Sequence, residues 1–188
     1  MVQDPLARIR LAFHWKRSDK VKAQQEVDRR NEIEDGSGQE WLLKDFQDCV
    51  LKADPECSFE DGTQDFTLMV PFFCGQLNSC VIINDKWALQ MAKFNIEKYY
   101  SVVGVFERLQ ESLFIFEKYI PKFFTGASNF EPEKVHPDPP PVSEEVREMI
   151  KDKLRSEYEL YDFISQRLRQ QMMFLTNSPV VTDNSDLK

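Results

Sequence analysis

Apolar residues recur at helical spacing through most of the chain. Leu6, Ile9 and Phe13, with Ala12 beside them, form one face of a helix that opens at Pro5 behind Asp4, a good capping residue. The pattern carries this helix to about Asn31. "EDGSGQ" (34–39) is a turn, and Trp41, Leu42, Phe46 and Val50 mark a short helix ending near Lys52. The polar stretch that follows leads into "FTLMVPFF", an unbroken apolar run that reads as a buried extended segment. Asn84 or Asp85 caps a helix through Tyr99, with Trp87, Met91, Phe94 and Ile96 apolar.

"YSVVGVFE" (100–107) is the best strand in the chain, short and β-branched. Residues 107–119 return to helical spacing through Leu109, Leu113, Phe116 and Ile120, and Pro121 ends that helix. "EPEKVHPDPPPV" (131–142) is a proline-rich connection. Ser143 caps a final helical region with a break near residues 153–155 and a stripe of Ile150, Leu154, Tyr158, Tyr161, Ile164 and Leu168. The expected organisation is one domain over residues 1–176 and a disordered tail over 177–188. Its fold class is α/β and helix-rich, with too few strands for a sheet of its own. A lone buried strand over 102–105 needs neighbours, so part of the fold is expected to lie outside this sequence.

Charge sharpens the picture. Of 188 residues, those at 1–22 carry a net +4, while the whole chain is −8, so the remainder is −12. The acidic body would repel a duplex, so nucleic acid is not an expected partner. No apolar run approaches the length of a membrane span, and Arg8 and Arg10 interrupt the only candidate for a secretory core.

The four cysteines form two local pairs, Cys49 with Cys57 and Cys74 with Cys80. Neither pair has the two-to-four-residue spacing of a structural zinc site, and no metal is assigned. A nucleophilic cysteine would need a base, and the chain holds only His14 and His136. Free buried thiols remain the simple rival. Two short disulfide loops account best for the even count and for the turn residues inside each loop, although such bonds belong to a secretory lumen.

The stretches "CVLKADPEC", "PFFCGQLNSC", "KWALQMAKFNIEKYYSVVGVFERLQESLFIFEKYIPKFFTGA" and "SEYELYDFISQRL" together resemble the carboxyl-terminal part of the glycosaminoglycan uronyl 2-O-sulfotransferases. The resemblance spans roughly residues 41–170, and "VQDPLARI" extends it toward the N-terminus. It implies pairing of Cys49 with Cys57 and of Cys74 with Cys80. It also implies a type II membrane protein of the Golgi, with a lumenal catalytic domain that forms trimers. Members of the family move sulfate from 3′-phosphoadenosine 5′-phosphosulfate to the 2-hydroxyl of a hexuronic acid in a glycosaminoglycan polymer. A P-loop-like strand–loop–helix cradles the donor, and a histidine base activates the hydroxyl.

Neither part has a match in this sequence, so the expected fold is an incomplete P-loop-like sulfotransferase fold with no catalytic residue of its own. His14 does not match the family base. The family holds the donor's 3′-phosphate with an arginine before the Asp-Pro pair and a serine eight residues later. Gln3 and Leu11 stand at those cofactor positions here. Thr125 stands where heparan-type members have an arginine, and Lys134 and His136 are the basic groups left in the proline-rich loop. Arg17, Arg29 and Arg30 lie roughly where the family uses arginines and are the candidate polymer contacts.

Three readings follow: a sulfotransferase fragment inactive alone, a degenerate non-catalytic paralogue binding glycans or sulfotransferase subunits, and a cytosolic helical interaction module. Thiol titration of the native protein separates the last from the others. No free thiol is expected before reduction, whereas four would place the chain in a reducing compartment.

Overall fold

The computed structural model describes residues 1–132 and 138–177. Ten α-helices follow one another among them: α1 Pro5–Ser18, α2 Lys20–Ile33, α3 Ser37–Leu43, α4 Phe46–Leu51, α5 Met69–Cys74, α6 Lys86–Tyr99, α7 Leu109–Tyr119, α8 Pro121–Phe124, α9 Glu144–Lys153 and α10 Arg155–Asn177. Asn177, the first residue of the expected tail, is the last of α10. The rest of that tail, with Lys134 and His136, lies outside the described residues.

Local capping explains most helix starts. The Asp4 carboxylate accepts from Ala7 N at 2.9 Å, with Pro5 at the first helical position. Asp85 accepts from Ala88 N at 2.7 Å, and Ser143 from Val146 N at 3.3 Å. The single helix expected over 5–31 is broken at Asp19. Its side chain accepts from Val21 N and Lys22 N at 3.1 and 3.2 Å, so it competes with the helical ladder and caps α2. Asp45 likewise divides the expected helix over 41–52, capping α4 through Asp48 N. Pro121 ends α7 as expected but also opens the short α8, since proline suits a first helical turn.

The apolar run before the second cysteine pair is a helix, α5, and not the extended segment its composition suggests. The reason lies far away in sequence. Glu157 of α10, only 3% exposed, accepts from Met69 N at 2.6 Å and Val70 N at 2.7 Å. Those are the orphan donors of a helix start, which the local sequence does not cap. Pro71 is tolerated because it falls in that first turn. Gly75, at φ +124°, ends the helix, with its N–H on Pro71 O.

The stretch read as the best strand forms one parallel bridge, Val2 with Val105, made by Val2 N to Gly104 O and Phe106 N to Val2 O, both 2.8 Å. A second bridge, Gln64 with Ile82, is antiparallel. Among the described residues these remain isolated bridges, so the α/β expectation reduces to a helix-rich fold with one short ladder. Gly104 makes the ladder possible: a Cβ there would lie 2.9 Å from the Phe116 ring.

The core has two main parts, beside a small cluster of Ala23, Val27 and Trp41 between α2 and α3. One part packs α5, α6 and α10 around the ladder, with Ile96, Val105, Ile115, Leu160, Ile164 and Leu168 at most 1% exposed. The other joins α1, α4 and α9 through Leu6, Phe13, Phe46, Val50, Val146 and Ile150. Both expected disulfides are formed. Cys49–Cys57 closes α4 onto the turn at Pro55–Cys57, and Cys74–Cys80 closes α5 onto the turn at Asn78–Val81. Each loop contributes about 2–3 kcal/mol in the chain-entropy account. The break near 153–155 falls at Leu154, as expected. There the Asn84 side chain accepts from Ser156 N and donates to Lys153 O, binding the entrance of α6 to the α9–α10 corner.

Burial pushes the Glu157 carboxyl up to about 7, against the pull of the Val70 and Met69 amides and of the Arg8 charge. A carboxyl raised in the folded state is protonated more readily there than in the unfolded chain. Its contribution is therefore fully present below the unfolded value and is lost as pH rises through the folded one. Urea unfolding is expected to show stability falling between about pH 4.5 and 7. Glu157→Gln, whose amide nitrogen cannot accept from one of the two N–H groups, is expected to lower stability by about 1–3 kcal/mol and to flatten that dependence.

Candidate functional site

Two surface regions gather the residues to which chemistry was ascribed. The first lies where residues 1–3 enter α1. Asp4 N donates to Glu107 Oε1 at 2.9 Å, and Tyr161 OH donates to Glu107 Oε2 at 3.0 Å. This ties the ladder to α10, and burial with the neighbouring Glu107 charge pushes the Tyr161 hydroxyl well above its ordinary range. Gln3 is half-buried at the mouth of this region, and Leu11 stands 40% exposed farther along α1. Arg8, one turn into α1, donates from Nη2 to Thr67 O at 2.8 Å. It borders an apolar cavity of about 270 Å³ lined by Met1, Val2, Phe72, Tyr100 and Val103 among others. Neither a cation at position 3 nor a hydroxyl at position 11 is available to hold a phosphate.

The second region is a cleft of about 930 Å³ between α1, α2, α3 and the first disulfide loop. Lys16, Lys22, Arg30 and Lys44 line it, with Glu26, Asp54 and Glu56 and the indoles of Trp15 and Trp41. Of the three candidate arginines Arg30 lines the cleft, and the three differ in state. Arg17 is built into the wall: its side chain is 8% exposed and its guanidinium lies over the Phe13 ring at 3.6 Å and the Trp41 ring at 4.4 Å. It donates to Trp41 O and Phe13 O and, with both terminal nitrogens, to Glu56. Arg30 lies over Trp41 at 5.1 Å and faces the cleft. Arg29 is on the outside, 57% exposed. Hydrogen bonds from Arg29, and then from Arg30, hold the Glu26 carboxylate down to about 2, so both arginines are engaged with one acid.

His14 sits edge-on to Phe13 at 5.5 Å. Burial first, then the charges of Arg10 and Arg17, lowers its basicity. Sulfur offers no ligand either: Cys49 Sγ lies with Asp54 and Glu56 within 4.8 Å, but it is already spent in its disulfide. Sequence reasoning counted Arg8, Lys16 and Lys22 in the basic N-terminal stretch but did not single them out as site residues. Arg8 follows the Asp4 cap at i,i+4, a spacing that places the two on one helix face, and Lys16 stands beside an exposed tryptophan.

No protein-family model matches the chain. Uronyl 2-sulfotransferase of Mus musculus is 25% identical over 176 residues, covering 89% of this chain and 41% of that protein. Heparan sulfate 2-O-sulfotransferase 1 of Gallus gallus is 36% identical over 85 residues, covering 45% of this chain and 23% of that protein. The human protein of the same name is 35% identical over 85 residues, again 45% of this chain and 23% of its own length. The chain is thus similar to glycosaminoglycan uronyl 2-O-sulfotransferases. It spans between 23% and 41% of the length of these relatives. No helix among the described residues is long and apolar enough to cross a membrane.

The arginines make a contrast that measurement can reach. Arg17→Ala removes a nearly buried guanidinium from between two rings and from the partly buried Glu56, and is expected to cost about 2–4 kcal/mol in urea unfolding. Arg29→Ala is expected to leave the midpoint unchanged, since exposed pairs of this kind contribute little.

Proposed function

We propose that this chain is a portion of a sulfotransferase domain of the uronyl 2-O type, whose complete form transfers sulfate to the 2-hydroxyl of a hexuronic acid. The observation that carries this reading is the similarity to mouse uronyl 2-sulfotransferase through 89% of the chain. The polymer would be of the heparan or dermatan type. The complete protein would work in the Golgi lumen as an anchored, type II, trimeric enzyme. Its fold would be the P-loop-like one, of which residues 1–176 supply the part without the phosphosulfate loop.

The donor implied is 3′-phosphoadenosine 5′-phosphosulfate. The residues present do not fit its 3′-phosphate: Gln3 is neutral, Leu11 is apolar, and the nearby Arg8 is bonded to Thr67 O. A missing charge-assisted bond to phosphate is worth roughly 1.5–3 kcal/mol. No transfer step is therefore assigned to this chain. Its own residues hold the scaffold: Asp4 starts α1, Glu107 and Tyr161 fix the ladder, and the disulfides fix the turns.

A second reading, a non-catalytic paralogue that binds glycans or partner subunits, is favoured by the same Gln3 and Leu11 and by the cleft. There Lys16 and Lys22 flank Trp15, which is 47% exposed, and Arg30 lies deeper. A cationic rim beside an indole suits an anionic sugar ring.

The purified chain, given labelled donor and desulfated heparan or dermatan, is expected to transfer nothing above background. Clear turnover would overturn the fragment reading. Gln3→Arg with Leu11→Ser is expected to tighten adenosine 3′,5′-bisphosphate binding at least tenfold by calorimetry. No gain would remove these positions from the cofactor site. Retention on heparin that is lost in Lys16→Glu/Lys22→Glu would favour the paralogue.

A further inference from the structure

Ser143 joins a proline-rich approach to an acidic helix start. Residues 138–142, with three consecutive prolines, precede it without forming a regular element, and Glu144 and Glu145 follow it. Ser143, Glu144 and Glu145 are all exposed. The serine backbone is extended, at φ −63° and ψ 160°, and its Oγ accepts from Val146 N at 3.3 Å, a long bond for a cap. Val146 is the first buried residue of α9. Ser143, Glu144 and Glu145 can therefore be laid out in one extended line by fraying the leading residues of α9, where the ladder has few bonds to lose.

Cations gather at the same cap. Arg147, one turn along α9, holds Glu144 at 3.2 Å with its own side chain 51% exposed. Arg10 of α1 donates from Nη2 to Pro139 O at 2.7 Å and to Pro140 O. Its Nε is buried and makes no hydrogen bond among the described residues. Burial first, then the Arg147 charge, lowers the basicity of Arg10, against the pull of Asp4 and Asp138. A dianion on Ser143 Oγ would meet Arg147 and the leading amides of α9, with Arg10 anchored three residues before it at Pro140. Glu144 and Glu145 would repel that dianion, but both are exposed, where water and salt screen them.

We propose that Ser143 is a phosphorylation site for an acid-directed protein kinase that reads Glu145, two residues after the serine, and that the phosphate fastens the start of α9 to Arg147. Kinases and their substrates select one another by such charge patterns. Ser143 Oγ forms a bond to the γ-phosphorus of a nucleoside triphosphate as the bond from that phosphorus to the bridging oxygen breaks. Nucleoside diphosphate leaves, and the hydroxyl proton passes to the carboxylate base of the kinase. Two formed disulfides suit a kinase of the secretory lumen. The same spacing recurs at Ser58, before Phe59 and Glu60, but there the fold opposes an extended line. Ser58 directly follows Cys57, which is fixed in its disulfide; Ser58 O accepts from Lys153 Nζ at 2.7 Å, and Phe59 stands at φ +43°. The inference is independent of the sulfotransferase reading.

The test incubates the full chain, disulfides intact, with magnesium ATP and a purified secretory-pathway kinase selective for Ser-x-Glu, and maps the phosphate by mass spectrometry. One phosphoryl group on Ser143 is expected, entering about tenfold faster than at Ser58. Glu145→Gln is expected to slow it about tenfold, while Glu144→Gln leaves the rate nearly unchanged. The phosphorylated chain is expected to melt about 2–4 °C higher, a gain that Arg147→Ala removes. Thermal melts of each unmodified variant check that it folds. Modification of Ser58 ahead of Ser143, or of Ser143 only once the chain is reduced and unfolded, would overturn the site. Modification of Ser143 with no gain in the melt would overturn the fastening to Arg147. No incorporation by a kinase that is active on casein would overturn both.

Discussion

One buried carboxylate organises the larger core. Glu157 reaches from α10 to the two leading amides of α5, and nothing local would cap that helix in its place. A carboxylate at a helix start gains from the orphan N–H groups and from the helix dipole, and loses the hydration it had in water. Because α5 is helical, Phe73 and Cys74 are turned inward and Gly75 can reverse the chain into the second disulfide loop. The entry to α6 follows from that loop. Without Glu157, the apolar run has no reason to prefer helix over extended chain.

Around this point the molecule is held by contacts between distant parts of the chain rather than by a sheet. Asn84 binds the α9–α10 corner, and Glu107 collects both the Asp4 amide and the Tyr161 hydroxyl. Arg17 packs between two aromatic rings while its fork holds Glu56 beside the first disulfide. Each is a polar group satisfied on several sides, the condition under which burial of charge is tolerated. The basic N-terminal end is in consequence less free than its composition implies. Arg17 is structural, Arg29 and Arg30 share one acid, and the more available cations of the cleft are Lys16 and Lys22.

For the sulfotransferase family, these features separate scaffold from chemistry. Local contacts shape the scaffold here, from the capped Asp-Pro helix to both disulfides. Gln3 and Leu11, the positions that the resemblance ascribes to the donor's phosphate, offer neither charge nor hydroxyl, and the nearby Arg8 is bonded to Thr67 O. A chain can keep a fold through caps, loops and core while its binding residues change, because the two sets of contacts scarcely overlap.

The sequence by itself determined what short-range physics decides. The starts of α1, α6 and α9 could be read from Asp4, Asp85 and Ser143, because a cap acts within three residues. The break at Leu154 and both cysteine pairs were legible for the same reason. The break at Asp19 was written there too, but the competing side-chain bonds are hidden when the polar pattern runs on unbroken. Only the tertiary structure decided α5, since its cap is 87 and 88 residues away. It alone distinguished Arg17 from Arg30, because side-chain exposure depends on which helices meet. It alone reduced the β-branched stretch at 100–107 to one bridge, since a strand exists only through its partners and propensity does not supply them.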